Sequence, residues 1–171
     1  STVRPEYNAP PVRIALMTRD DIDAVLRTFA VWHKTRLQFE TYLNEQARGL
    51  RTALVAWKGK EVVGYTTIVW RSHYDPFREQ NIPEIVDLNV ITEHQRQGIG
   101  TALIRAAEEL ARRRGYKVMG ISVVQSEEYA APNRLYPQLG YIPDGRGITL
   151  FDNELHLTRP IAPDAEGSRG R

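Results

Sequence analysis

The sequence predicts one α/β domain whose mixed central sheet, of about six to seven strands, carries about four helices divided between its two faces. Three observations predict it. Strand-like and helix-like segments alternate along the chain, two strands joined by a short glycine-containing loop form an antiparallel meander, and a later strand–helix–strand run makes a parallel crossover. At 171 residues and 42% hydrophobic content the chain can fill a single core.

Residues 1–11, with Pro5, Pro10 and Pro11 among polar neighbours, read as an extended arm ahead of a domain spanning 12–159. Val12 to Met17 is a first strand. Thr18 is a plausible N-cap for a helix whose Ile22, Val25, Leu26 and Phe29 form an apolar stripe. A second helical stretch covers roughly Leu37 to Leu50. Ala53–Trp57 and Val62–Trp70 are strands joined through Lys58-Gly59-Lys60-Glu61. There follow a strand from Glu84 to Val90, a helix from Ile99 to Arg114, a strand from Val118 to Val124, a short helix from Asn133 to Leu139 and a closing strand from Thr149 to Leu157. Residues 160–171, rich in Pro, Ala, Gly, Ser and charge, read as a disordered tail.

Composition excludes several chemistries. Without cysteine there is no disulfide scaffold, thiolate metal site or covalent acyl-cysteine. The four histidines, His33, His73, His94 and His156, lack ligand spacing, so no metal is expected. Net charge is +2 without a dense basic block, which argues against nucleic acid. The segment beginning Ser1-Thr2-Val3 lacks the apolar stretch of a signal peptide, and no run approaches the roughly 20 apolar residues that cross a bilayer. The expectation is a cytoplasmic protein, monomer or homodimer, with no membrane partner.

The segment from Glu84 to Arg114 is the most informative. In its helix Ile99, Leu103, Ala106, Ala107 and Leu110 share a face, Arg112 to Arg114 complement the dipole at the last turn, and Gly115 stops it. Gly98 and Gly100 therefore sit at a helix N-terminus, where unpaired amides and missing side chains let a phosphate approach. A tight turn that needs positive φ and binds nothing would look the same. Thr101 follows Gly100 without the P-loop lysine, and Leu103 stands where a dinucleotide fingerprint needs a small residue, so neither ATP nor NAD is favoured.

Gln95-Arg96-Gln97-Gly98-Ile99-Gly100 resembles the Gln/Arg-x-x-Gly-x-Gly/Ala signature of the GNAT superfamily of N-acetyltransferases. The block Asn133-Arg134-Leu135-Tyr136-Pro137-Gln138-Leu139-Gly140-Tyr141 resembles that superfamily's later Asn…Leu-Tyr-x-x-Leu-Gly-Phe/Tyr segment. The resemblance implies the GNAT fold and acetyl-CoA as co-substrate. It implies phosphate contacts from the amides of Gln95, Arg96, Gln97, Gly98, Ile99, Gly100 and Thr101, and pantetheine contacts along Leu88, Asn89 and Val90. Arg96 adds a charge-assisted bond to phosphate or is a solvated surface arginine. Asn133 is implied to hold the coenzyme arm.

Acetyl transfer to an amine needs a group to take the amine proton, since an alkylamine of pKa about 10 is protonated at neutral pH. It also needs a donor for the oxyanion and an acid for the leaving thiolate. The resemblance implies Tyr136 as the acid, although Pro137 disfavours α geometry at the residue before it. It implies Glu84 as the base, with Asp87 the nearest rival, and the amide near Val90 as the oxyanion donor. Strand alternation places Glu84, Val86 and Leu88 on one face and Asp87 on the other. The expected activity is acetylation of a primary amine in a ternary complex, a small molecule being favoured over a protein N-terminus. The alternative is a non-catalytic acyl-CoA-binding module. Trp57, Trp70, Tyr65 and Tyr129 either line an acceptor pocket or belong to the core.

Overall fold

The computed structural model describes residues 11–95, 97–126 and 134–163. Arg96, Tyr129 and Asn133, the arm over 1–10 and the tail from 164 lie outside them. The elements run β1 (Val12–Leu16), α1 (Ile22–Phe29), α2 (Arg36–Ala47), β2 (Arg51–Lys58), β3 (Glu61–Val69), α3 (Asp75–Glu79), β4 (Glu84–Val90), α4 (Ile99–Arg113), β5 (Val118–Val124), α5 (Leu135–Gln138), β6 (Ile142–Thr149) and β7 (Glu154–Pro160). The seven strands form one sheet in the order β1-β2-β3-β4-β5-β7-β6. Among the described residues only β4 and β5 pair in parallel.

Period-two alternation divides the core between the two faces. Leu54 and Ala56 of β2 turn toward α4, where Leu103, Ile104 and Ala107 close the larger half with Ile85 and Ile121. Ala53 and Val55 turn the other way, onto Phe29 of α1 and Phe39 and Leu43 of α2. Helix starts follow their caps: Thr35 Oγ1 accepts from the amide of Gln38 at 3.2 Å, and Asp21 reaches back to the Thr18 amide at 2.8 Å. The mixed sheet with helices on both faces is as expected.

Four details differ from the sequence reading. The second helix stops at Ala47 because Gly49, at φ 76°, turns the chain into β2. The stretch between Trp70 and Glu84 carries the short helix α3, opened by Asp75-Pro76 and anchored by Phe77. The expected strand from Thr149 to Leu157 is instead a hairpin: β6 ends at Thr149, residues 150–153 turn, and β7 begins at Glu154. β6 escapes sequence reading because it is an edge strand with Pro143, Gly145, Gly147 and an irregular register. Past Pro160, Ile161 is buried and its amide donates to the Lys117 carbonyl at 2.8 Å, so ordered packing continues into the stretch read as tail.

The parallel pairing is brief. It consists of Glu84 opposite Gly120 and Ile85 opposite Ile121. Beyond these, β4 and β5 diverge, leaving the edge of β4 from Val86 to Val90 outside the pairing between them. No helix among the described residues is long and apolar enough to cross a membrane.

Candidate active site

The site is built around an irregularity in β4. Tyr65 stands opposite Asn89 and Thr67 opposite Val86, so Asp87 and Leu88 share the place of one residue. Asp87 adopts φ 67°, a left-handed conformation that Asp tolerates better than most residues. This bulge overturns simple alternation. Leu88 and Val90 pack toward α4, whereas Glu84 and Asp87 share the opposite face.

Asp87 is heavily bonded. Its Oδ2 accepts from Tyr65 Oη at 2.8 Å, Tyr42 Oη at 2.8 Å and Gln38 Nε2 at 2.9 Å; its Oδ1 accepts from Asn89 Nδ2 at 2.6 Å and Lys34 Nζ at 3.3 Å. Five donors fill the roughly four acceptor positions of a carboxylate. Burial and then the Asp87 charge push the Tyr42 and Tyr65 phenols well above the ordinary tyrosine range.

Glu84 differs. It is 8% exposed and, among the described residues, accepts only from two serines, Ser72 Oγ at 2.6 Å and Ser122 Oγ at 2.7 Å. Two bonds leave about half of its acceptor capacity. Glu84 and Val86 line a cavity of about 560 Å³ that also reaches Ser122, Asp152, Glu154 and His156. His156 stacks on Tyr74 with ring centroids 3.5 Å apart and meets Phe77 edge-on. Burial lowers its pKa, against the charges of Glu84, Asp144 and Asp152. Burial also raises the pKa of Glu154, with Asp152 and Glu84 adding to it.

On the other face the glycine turn opens α4. Gly98 sits at φ 82° as the cap, without a side-chain hydrogen bond, so the first amides of a 15-residue helix are unpartnered by side chains there. Gly100 permits a close approach: a Cβ there would lie 3.0 Å from Leu135 of α5. Most neighbouring side chains are committed elsewhere. Gln95 Nε2 donates to the Val90 carbonyl at 3.1 Å, Gln97 Nε2 to the Glu93 carbonyl at 3.3 Å, and Ile99 belongs to the core. Asn89 is held by Asp87 and Tyr65. What this segment offers a ligand is therefore mainly backbone, including that of Thr101.

Tyr136 lies in α5, 7% exposed. Among the described residues its hydroxyl has no hydrogen-bond partner. Burial first, and the Asp87 charge second, push it up to about 12. Pro137 does no harm, because it occupies the third helical position, where the absent N–H would have no intrahelical partner.

The structure thus brings Glu84 and Asp87 to one face of β4 and sets the glycine turn on the α4 side, with Tyr136 in that half of the core. Sequence reading missed Ser72, Ser122 and His156. Ser122 reaches Glu84 only through the β4–β5 register, and no local pattern announces that. Of the aromatic candidates, Trp70 donates to Thr52 Oγ1 at 2.9 Å and Tyr65 is core; neither lines the Glu84 cavity, nor does Trp57. No group of three metal-ligating side chains occurs among the described residues.

Solved structures share this fold. A GNAT-family protein from Desulfovibrio desulfuricans matches with TM-score 0.72 at 15% identity, over 89% of this chain and 100% of that one. YncA from Salmonella typhimurium, solved with its cofactor acetyl-CoA, matches with TM-score 0.66 at 24% identity, over 92% and 97%. The ribosomal-protein-S18-alanine N-acetyltransferase from Escherichia coli matches with TM-score 0.64 at 18% identity, over 91% and 97%. A search of curated protein sequences returns no significant match. The profile of the acetyltransferase (GNAT) family spans residues 20–141, and the chain belongs to that family.

Proposed function

We propose that this acetyltransferase moves the acetyl group of acetyl-CoA to the primary amine of a small molecule within a ternary complex. The observation that carries the reading is the two-sided access to β4: an open edge and glycine turn on one side, and a cavity ending at buried Glu84 on the other. The residues fit the coenzyme. Its pyrophosphate suits the free amides behind Gly98, and its arm suits the unpaired edge at Leu88, Asn89 and Val90. YncA, of the same fold, holds acetyl-CoA.

Glu84 takes the ammonium proton, directly or through one water, using the acceptor positions its serines leave open. The freed amine then attacks the thioester carbon. The N–C bond forms, the C–S bond breaks, and the amide near Val90 steadies the oxyanion. Tyr136, still protonated because burial holds its phenol high, gives its proton to the departing thiolate, and the second proton that the nitrogen sheds as the amide forms restores the phenol. Asp87, saturated with donors, acts as the anchor of the bulge rather than as a base. Arg96 and Asn133 keep the coenzyme roles that their motif positions imply.

Saturating acetyl-CoA is expected to raise the melting temperature, and an amine panel to release thiol. Glu84→Gln is expected to lower kcat by about 10²-fold while the melting shift persists. An unchanged melting temperature would refute coenzyme binding. Bound coenzyme with no thiol release from any amine would refute turnover and leave a binding module.

A further inference from the structure

Three carboxylates on the wall of the 560 Å³ cavity, Glu84, Asp152 and Glu154, make no ion pair with a lysine or arginine among the described residues. The fourth, Asp75, is bound to Arg78, and the arginine on the wall, Arg51, is bound to Glu45. The uncompensated charge of the cavity is therefore negative. Burial first, and then the charges of Asp152 and Glu84, raise the pKa of Glu154.

A second observation is independent of charge. His156, on the same wall and 3% exposed, has no hydrogen-bond partner at Nδ1 among the described residues. Its Nε2 stands 3.8 Å from Glu154 Oε2, beyond hydrogen-bond reach. Tyr74 and Phe77 hold the ring in place, so it cannot readily turn to find another partner. A buried imidazole nitrogen without a hydrogen-bond partner is costly in a native fold, and a bound donor would remove that cost.

We propose that the acceptor is a small polycationic amine. One ammonium is delivered to Glu84 for acetylation, and a second is held by Asp152 and Glu154, with the unpartnered ring nitrogen of His156 accepting a hydrogen bond from the same molecule. This rests on the reading of Glu84 as the mark of the acceptor side, and it narrows the acceptor from amines in general to those with at least two positive charges.

The test compares linear diamines and triamines with alkyl monoamines of matched length, and a diamino sugar with its monoamino counterpart, by thiol release. The expected kcat/KM is at least about tenfold higher for the polycation of each pair, expressed mainly in KM. In the Asp152→Asn, Glu154→Gln double variant that ratio is expected to fall toward one. As a readout free of turnover, the ring ¹⁵N resonances of His156 should shift on adding the diamine without coenzyme, and not on adding the monoamine. Preference for the linear or for the sugar polycation identifies the scaffold, and either supports the proposal. Equal turnover of monoamines and polycations, or a preference that survives the double variant, overturns it while leaving acetyl transfer intact. If acetyl-CoA binds and no amine at all is acetylated, this proposal falls together with the reading it rests on.

Discussion

Tyr136 and Glu84 are both buried and both polar, yet their surroundings differ. The Tyr136 hydroxyl has no partner among the described residues, so removing it breaks no hydrogen bond. Tyr136→Phe should leave folding stability within about 1 kcal/mol of the parent, by denaturant titration, while kcat falls by about 10²-fold. A loss of stability matching the loss of rate would make the tyrosine structural. The comparison with Asp87 shows where residue-level sequence reading stops. Glu84 and Asp87 were near-equal candidates because spacing sees only their distance from Gly98. Their difference lies in partners: five donors from three elements and the α1–α2 connection on one, two serines on the other. Those partners come from residues up to 53 positions away. Gly98, by contrast, was legible, because its conformation is required by a turn that the local sequence itself writes.

Among the elements, α3 shows how a short helix can matter out of proportion to its length. Phe77 sits over Gly120 of β5, where an added Cβ would lie 2.3 Å from the ring. Gly120→Ala should therefore displace α3 and destabilise the fold by about 1–3 kcal/mol, measurable in urea. Because Tyr74 begins α3 and stacks on His156, the same change should raise the KM for the amine while the acetyl-CoA melting shift remains. Strands with regular alternation, such as β2 and β3, and the amphipathic α4 were readable from pattern alone. α3 was not, since five residues show no period, and β6 was not, since its proline and glycines read as loop. Those unreadable elements lie beside the cavity wall, which explains why the glycine turn was legible and the cavity beside Glu84 was not.

Across the whole molecule, five phenols share one property. Tyr42, Tyr65, Tyr74, Tyr136 and Tyr141 are all raised above 10.0, with burial the largest cause and nearby carboxylates adding to it. A raised folded pKa gives stability that is fully present below the unfolded value, near 10, and is lost as pH rises through the folded values. For Tyr74 and Tyr136 that window closes at about 12. Stability in urea should hold to about pH 9 and fall steeply from about pH 10 upward. Part of the tyrosinate absorbance of the eight tyrosines should appear only with unfolding. A smooth titration of all eight in the folded state would contradict this.

The bulge at Asp87 has a wider consequence. It resets the phase of β4, so Glu84 and Val86 address one half of the molecule, and Leu88 and Val90 the other. Substitutions at Glu84 or Val86 can remodel the cavity wall without disturbing the packing under the glycine turn, and substitutions at Leu88 or Val90 the reverse. One kink in one strand makes the two halves of a bisubstrate enzyme separately evolvable.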